Sequence, residues 1–426
     1  MSVDPMTYKP AGDKKNSAYF NEYLPKIYER RASSGLGQLL GNICGVAVQV
    51  QAGDAISYLK ELYVMTPYRY KASFRNDTHN IYCLVNRANK PVFFVLEPLS
   101  LDYKDNIVRI NKMYPNSRAK PQARYIGEIF GTKDREQTKT ILKSHSVRFY
   151  DTEAQENQFY SNPNISFTHM SNFTYNRMGY TSANLIDFDS LELGMPFSIS
   201  QSDEQQLAKQ EELSIKLGVA PLLNGLDHLA ARVLASDRED AILELLCLTN
   251  YYFWGAFDVP TMDTATCATR SLHGDDGLSP AKVISASDVP YMVNSFANTP
   301  MPTEDYVRNY GRRLHHIAYA VLDGDHASGV KNIDFVIATL HDKEKIEFVS
   351  KIVGACNAAA LRQVFATHSP YSTLFTEYVQ RCHGFEGFLN RENVVQLAGA
   401  MGTAGEKLQE IAPTDKPKHD HNIIGD

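Results

Sequence analysis

Two histidines and one glutamate stand out in the C-terminal half, because each lies in an apolar segment with the composition of a β-strand. The segments are 226–233 with His228, 312–321 with His316 and 374–381 with Glu377. Side chains alternate between the two faces of a strand, so each of these residues shares a face with the apolar residues two positions away. Two imidazoles and one carboxylate in such settings predict a metal site.

The elements that must position these residues repeat one order: a strand, a helix and then further strands, which is a βαβββ module. The first two modules open with strands at 42–50 and 125–130, followed by helices at 54–63 and 134–142. The third opens at 226–233 with a helix at 237–248, and the fourth opens at 314–321 and closes with strands at 362–366 and 374–381. The sequence therefore predicts an α+β protein of four modules.

The domain organisation follows from this repeat. Residues 1–35 are a polar lead-in with a short helix at 19–31, and 36–150 form a module pair without metal, because Cys44-Gly45 and Ile126-Gly127 stand on its opening strands. Residues 151–222 are the connection, with a helix that is predicted to be capped by Ser202 and to stop at Gly218. Residues 223–401 are the metal-binding pair, ending in a helix within 390–401, and 402–426 form a disordered tail.

The composition argues against several classes of protein, namely nucleic-acid-binding, membrane-spanning and secreted proteins. The 426 residues carry a formal net charge of −6, which argues against a nucleic-acid partner. No run of about 18 apolar residues is present, so we expect no membrane span, and residues 1–15 lack the apolar core of a signal peptide. The six cysteines form no C-x-x-C pair. This pattern predicts reduced thiols in a cytoplasmic protein.

The three metal-site segments resemble the vicinal oxygen chelate superfamily, and within it the family of 4-hydroxyphenylpyruvate dioxygenase and 4-hydroxymandelate synthase. The resemblance rests on Leu226-Asp227-His228, on Leu314-His315-His316-Ile317-Ala318 and on the segment 374–381. Further similar motifs are Gln363-Val364-Phe365, Gly387-Phe388, Asn393 and Asn298-Thr299-Pro300. The resemblance is specific for residues 224–397 and only architectural for the N-terminal half.

The resemblance implies a fold, a cofactor and an activity. The four modules pair into two pseudo-symmetric open β-barrel domains, and Fe(II) is held by His228, His316 and Glu377. The implied substrates are an aryl 2-oxo acid and O₂, and the implied reaction is oxidative decarboxylation with hydroxylation, which in the family yields homogentisate in tyrosine catabolism. The chain is expected to form a dimer or tetramer. The implied substrate-contacting residues are Gln363, Phe365, Phe375, Phe388, Asn298, Asn393 and His315.

Two departures leave the substrate open. His315 stands where the family has Gln, and Val394 follows Asn393 where the family has Phe. Because His315 is adjacent to His316, strand alternation predicts that it points to the opposite face and does not bind the metal. We expect a largely apolar pocket lined by Phe365, Phe375 and Phe388. The alternatives are a 4-hydroxymandelate synthase-like or other 2-oxo-acid oxygenase, an extradiol-type dioxygenase, and a metal-free small-molecule-binding protein.

Overall fold

The computed structural model describes residues 4–87, 91–150, 157–272, 280–288, 301–357, 360–387 and 390–400. The helices are α1 (Lys14–Ser34), α2 (Leu36–Leu39), α3 (Ala55–Met65), α4 (Asn106–Asn111), α5 (Arg135–Ser144), α6 (Gln201–Lys216), α7 (Arg238–Leu248), α8 (Pro302–Tyr310), α9 (Asn332–Glu344) and α10 (391–400). The strands of the N-terminal half are β1 (Ala11–Gly12), β2 (Leu40–Gln49), β3 (Arg69–Arg75), β4 (His79–Val85), β5 (Val92–Pro98), β6 (Arg124–Thr132), β7 (Ser166–Phe167), β8 (Arg177–Thr181) and β9 (Met195–Pro196). The remaining strands are β10 (Leu223–Arg232), β11 (Tyr251–Val259), β12 (Thr264–Ser271), β13 (Ala281–Ala286), β14 (Arg313–Val321), β15 (Ala360–Phe365) and β16 (Phe375–Cys382).

The strands form two sheets, one for each half of the chain, except that β1 of the N-terminal lead-in joins the C-terminal sheet. The N-terminal sheet has the order β7-β8-β6-β2-β5-β4-β3-β9, and the C-terminal sheet has the order β1-β11-β12-β13-β10-β14-β16-β15. Modules one and three are complete: β2–α3–β3–β4–β5 and β10–α7–β11–β12–β13 each pair their first and last strands in parallel. The predicted α+β architecture of paired modules is confirmed.

Modules two and four each replace one strand by isolated bridges. After α5, Phe149 makes a single bridge to Thr168, and after α9 the bridges are Phe348 to Ala366 and Val353 to Gln363. The opening strands of the two modules in each half lie side by side and antiparallel, β2 against β6 and β10 against β14. The first and last strands of the two modules in each half are therefore neighbours in the sheet, in the order β5-β2-β6-β8 and β13-β10-β14-β16.

The N-terminal half has glycine at each position that corresponds to a predicted metal ligand. His228 pairs with Ala318, which pairs with Glu377, and the matching pairs in the N-terminal sheet run from Gly45 through Ile129 to Gly179. Similarly, Ala230 pairs with His316, and Ala47 pairs with Gly127.

Apolar side chains fill the space beside two of these glycines. A Cβ atom on Gly45 would lie 2.9 Å from Leu185 Cδ1, and one on Gly179 would lie 2.9 Å from Phe167 Cε1. The concave side of the N-terminal half is therefore packed core, whereas the C-terminal half keeps its polar residues there.

The segment 151–222 does more than connect the halves. Its described part supplies β7, β8 and β9 to the N-terminal sheet before α6 begins. Helix α6 starts two residues earlier than predicted, because Ser200 and not Ser202 is its N-cap: Ser200 Oγ accepts a hydrogen bond from the Asp203 amide (3.1 Å). The C-terminal end is as predicted, with Gly218 in the left-handed region at φ +75°.

The N-terminal lead-in is also more structured than expected. Helix α1 spans residues 14–34 rather than 19–31, and β1 extends the C-terminal sheet by pairing with β11. The buried Arg31 guanidinium donates hydrogen bonds to the carbonyl oxygens of Leu246 and Thr249, at 3.3 and 2.7 Å. These contacts fix the lead-in to α7 of the C-terminal half.

The cysteines differ from expectation at one pair. Cys356 and Cys382 are joined by a disulfide, with Cα atoms 5.4 Å apart, so the prediction of reduced thiols is wrong for these two. The reason is that β16 ends at Cys382 beside the chain that enters β15.

Among the described helices, none is both long and apolar enough to cross a bilayer.

Glu61 on α3 provides a pH-dependent contact between the halves. Burial raises the pKa of its carboxyl to about 7 from an ordinary value of 4.5, while Ser369 of the C-terminal half, which hydrogen bonds to it, acts in the opposite direction. The folded chain then holds a proton that the unfolded chain releases between these two values. This contribution to stability is complete below about pH 4.5 and is lost as the pH rises through 7.

We therefore expect Glu61→Gln to be more stable than the wild type above pH 7 and nearly equal to it at pH 4.5. Urea unfolding at several pH values measures the difference in free energy. Glu136→Gln, at an exposed site on α5, is the control and should show no such trend. A difference between Glu61→Gln and wild type that does not change with pH would contradict the assignment.

Candidate metal centre

Three neighbouring strands of the C-terminal sheet bring His228, His316 and Glu377 together. The Nε2 atoms of the two histidines are 3.1 Å apart, and Glu377 Oε2 lies 2.9 Å from His228 Nε2 and 3.1 Å from His316 Nε2. His228 and Glu377 are almost fully buried. Among the described residues, these three form the one group of His, Cys, Asp or Glu side chains with metal-binding spacing.

The spacing of the three donor atoms fits one face of an octahedron. Metal–ligand distances of about 2.1 Å place adjacent octahedral ligands about 3.0 Å apart, whereas tetrahedral ligands would be about 3.4 Å apart. The observed separations are 2.9 to 3.1 Å. An octahedral cation bound here would keep up to three positions free for other ligands, as in two-histidine, one-carboxylate iron sites.

The electrostatics of the group also suit a cation. Glu377 Oε2 is buried and faces the Nε2 atoms of His228 and His316, at 2.9 and 3.1 Å. Burial opposes charge on these groups, yet the carboxylates of Glu377 and Asp227 raise the pKa of His228 to about 9, and the two imidazoles lower the pKa of Glu377 to about 2. Burial lowers the pKa of His316 to about 4. The cluster thus holds an anionic carboxylate that attracts positive charge.

A buried ion pair orients His228. Its Nδ1 lies 2.8 Å from Asp227 Oδ1, and Asp227 is held by two hydrogen bonds from Arg381, at 2.7 and 3.0 Å. Burial acts to raise the pKa of Asp227, but Arg381 and His228 hold it below its ordinary value. The Asp227 carboxylate therefore accepts a hydrogen bond from His228 Nδ1–H, and a metal that displaces the proton on Nε2 would meet the Nε2 lone pair.

A chain of amides orients Glu377. Asn393 Nδ2 donates to Gln363 Oε1 (3.1 Å), and Gln363 Nε2 donates to Glu377 Oε1 (2.7 Å). Asn393 Nδ2 also donates to the Leu361 carbonyl, so this amide is fixed from α10. Gln363 lines the cavity, whereas Asn393, which the family resemblance implies as a substrate contact, lies behind Gln363.

Strand alternation predicted that His315 points to the face opposite His316, and this prediction is wrong. The register between β10 and β14 passes from Ala230–His316 to Ala231–Leu314, which leaves His315 as the extra residue of a β-bulge. A bulge redirects the side chain. His315 Nδ1 consequently lies 2.7 Å from His316 Nδ1, and its ring stacks on Phe375 with centroids 4.6 Å apart.

The His315 contact sets the tautomer of His316. Burial, together with Arg232 and His316, keeps the pKa of His315 well below its ordinary value, so its ring is neutral and one nitrogen accepts. If His316 presents Nε2 to a metal, its Nδ1 carries the proton and donates to His315 Nδ1. Removing such a partner typically costs 10- to 100-fold in metal affinity.

We expect His315→Leu to bind Fe(II) or Co(II) about 10- to 100-fold more weakly than wild type. His315→Asn, which keeps an acceptor near the position of Nδ1, should recover most of that affinity even though it loses more packing against Phe375. Anaerobic metal titration gives the affinity and thermal melting gives the stability. If metal affinity follows stability across the two variants, the role of His315 is packing alone.

The cavity beside the three ligands is largely apolar, as expected, but it also contains polar groups that were not predicted. Phe365 lines it, but Phe375 packs behind His315 and does not, and Phe388 and Asn298 lie outside the described residues. Polar lining residues that the sequence analysis did not identify are Arg232, Thr264, Thr266, Ser285 and Thr303. One signal was present in the sequence, since Arg232 stands four positions after His228 and shares its strand face.

The fold, with paired βαβββ modules, is similar to that of solved structures. A variant of 4-hydroxymandelate synthase from Streptomyces coelicolor is similar to this chain with a TM-score of 0.59 and 14% identity, over 86% of this chain and 99% of that chain. A fusion of a xylose isomerase-like TIM barrel with 4-hydroxyphenylpyruvate dioxygenase is similar with a TM-score of 0.53 and 11% identity, over 86% of this chain but 53% of that longer chain. No family model and no curated protein matches the sequence. These likenesses establish the fold.

Proposed function

We propose that this chain is a non-haem Fe(II) dioxygenase that oxidatively decarboxylates a 2-oxo acid and hydroxylates the same molecule. The observation that carries the proposal is the triangle of His228, His316 and Glu377 donor atoms, which has the size of an octahedral face and borders a cavity. The structural similarity to a variant of 4-hydroxymandelate synthase over 86% of this chain supports it. Members of the 4-hydroxyphenylpyruvate dioxygenase and 4-hydroxymandelate synthase type are both compatible with this proposal.

The chemistry of the bound metal would be chelation of the 2-oxo acid and activation of O₂. The reaction balances without another reductant: loss of CO₂ supplies two electrons and hydroxylation supplies two, which together reduce O₂. One oxygen atom enters the new carboxylate and the other enters the hydroxyl group.

The residues of the chain perform the positioning. Asp227 and His315 direct the Nε2 atoms of the two histidines toward the metal position, and Gln363 occupies Glu377 Oε1 so that Oε2 stays available. The apolar lining from Phe365, Val394 and Leu397 limits access of water to a bound substrate.

Anaerobic Fe(II) reconstitution tests the proposal. A panel of 4-hydroxyphenylpyruvate, phenylpyruvate and an aliphatic 2-oxo acid is added, and the metal-to-ligand absorption band reports chelation. Admission of O₂ should then give O₂ uptake and CO₂ release in equal amounts. Iron-loaded protein that binds none of these acids would contradict the proposal. Ring cleavage of a catechol would identify an extradiol enzyme. Failure to bind iron would favour the alternative of a metal-free protein that binds a small molecule.

A further inference from the structure

Arg232 lies in the same cavity as the candidate metal ligands. His228, Ala230 and Arg232 follow one another at two-residue intervals on β10, and all three line the cavity. At about 3.3 Å per residue, the Cα atoms of His228 and Arg232 are about 13 Å apart along the strand. Arg232 therefore lines the same cavity at a position further along β10 than the candidate ligand His228.

The Arg232 guanidinium is buried, and the part of the chain that the structure describes offers it no anionic partner. Arg232 is 9% exposed, its Nη1 donates to the Pro302 carbonyl (3.0 Å), and its Cζ lies 5.1 Å from the centroid of the Tyr306 ring. No carboxylate among the described residues forms an ion pair with it. Buried charges are ordinarily paired, and burial lowers the pKa of Arg232 to about 10.

Hydroxyl groups lie beside Arg232, because Ser285 is its partner on β13 and Thr266 is the partner of Ser285 on β12. Thr266 and Ser285 are paired at 3.0 Å, and Thr264 and Thr303 are paired at 3.2 Å, with all four side chains lining the cavity. A hydroxyl in such a pair can turn its proton toward a bound anion. Guanidinium and hydroxyl donors at one place form a site for an oxyanion.

We infer that Arg232 binds a carboxylate at the end of the substrate that is remote from the metal, so that the substrate is a 2-oxo acid with a second carboxylate. This inference rests on the proposed function. The charges agree with it: a divalent metal and Glu377 leave one positive charge, which the 2-oxo acid carboxylate balances. Arg232 leaves a second positive charge, which one further carboxylate balances, whereas a phosphate dianion would leave an excess negative charge.

Matched pairs of 2-oxo acids test the inference in iron-loaded protein. The pairs are phenylpyruvate with 4-carboxyphenylpyruvate, and 2-oxooctanoate with 2-oxosuberate, so that each pair differs in the distal carboxylate. We expect the diacid of at least one pair to be preferred by about 100-fold or more in kcat/KM, as for other polar groups read by buried partners. Anaerobic Kd from the absorption band should show the same preference without turnover.

Substitution of Arg232 assigns the preference to this side chain. Arg232→Met should reduce the ratio between diacid and monoacid to within about threefold, and Arg232→Lys should retain part of it. Arg135→Met, which removes a positive charge on α5, is the control and should keep the wild-type ratio. Circular dichroism and metal titration verify that each variant is folded and loaded.

The possible failures are distinct. Monoacids and diacids that are bound and turned over equally by the wild type would overturn the inference and leave the proposed function intact, as would an Arg232→Met variant that keeps the wild-type ratio. Absence of chelation and O₂ uptake with every 2-oxo acid would instead overturn the proposed function, and the inference with it.

Discussion

His316→Ala is expected to bind Fe(II) more than about 100-fold more weakly than wild type and to lose turnover. The change removes one of three donor atoms and leaves Glu377 Oε2 and His228 Nε2, at 2.9 Å, as the remaining pair. Loss of a residue that only orients a ligand already costs 10- to 100-fold in metal affinity, so loss of a ligand itself should cost more. Anaerobic Fe(II) titration measures the affinity, and O₂ uptake measures the activity.

Thermal stability separates metal binding from folding in this experiment. A metal that binds the folded chain at 100 times its Kd stabilises it by about 2.7 kcal/mol. Chelation should therefore lower the Tm of wild type and leave the Tm of His316→Ala unchanged. His341→Ala, at an exposed position of α9, is the control and should keep wild-type affinity. Equal Fe(II) affinity in wild type and His316→Ala would contradict the assignment of the site.

The sequence was sufficient to locate the three convergent residues because each of them lies in a segment with the composition of an apolar strand. The repeated order of elements indicated that these strands are neighbours. The glycines at 45 and 127 similarly indicated a half without ligands. The prediction of the fold was thus based mainly on hydrophobic patterns and on the order of the modules, both of which depend on local residue types.

The features that were missed depend on contacts that the sequence does not encode locally. The bulge at His315 has no signature in the sequence, so the alternation of side chains along the strand predicted the wrong face for its ring. Ser200 and Ser202 both have a suitable capping partner three positions later. The backbone is extended at Ser200, which makes this residue the N-cap. The burial of Arg232 results from α8, which is about 70 residues away in sequence and covers the side chain through Pro302 and Tyr306.

Arg381→Met is expected to lower the free energy of unfolding by about 3–5 kcal/mol, because it leaves the Asp227 carboxylate buried without its cation. The Asp227 side chain is 4% exposed and receives hydrogen bonds from two nitrogens of Arg381. The double variant Asp227→Asn/Arg381→Met removes both charges and should be less destabilised than the sum of the two single changes. Urea unfolding in the presence of chelator measures these energies without a contribution from metal.

Arg362→Met is the matched control, since Arg362 pairs with Asp334 at a partly exposed position near the other end of the fourth module. It should cost no more than about 1 kcal/mol. Because Asp227 also accepts from His228 Nδ1, the double variant should retain metal binding with at most the 10- to 100-fold loss that altered ligand orientation produces. If the single changes at Asp227 and Arg381 add without coupling, the pair does not act as a unit, and the orientation of His228 must come from the backbone of β10 alone.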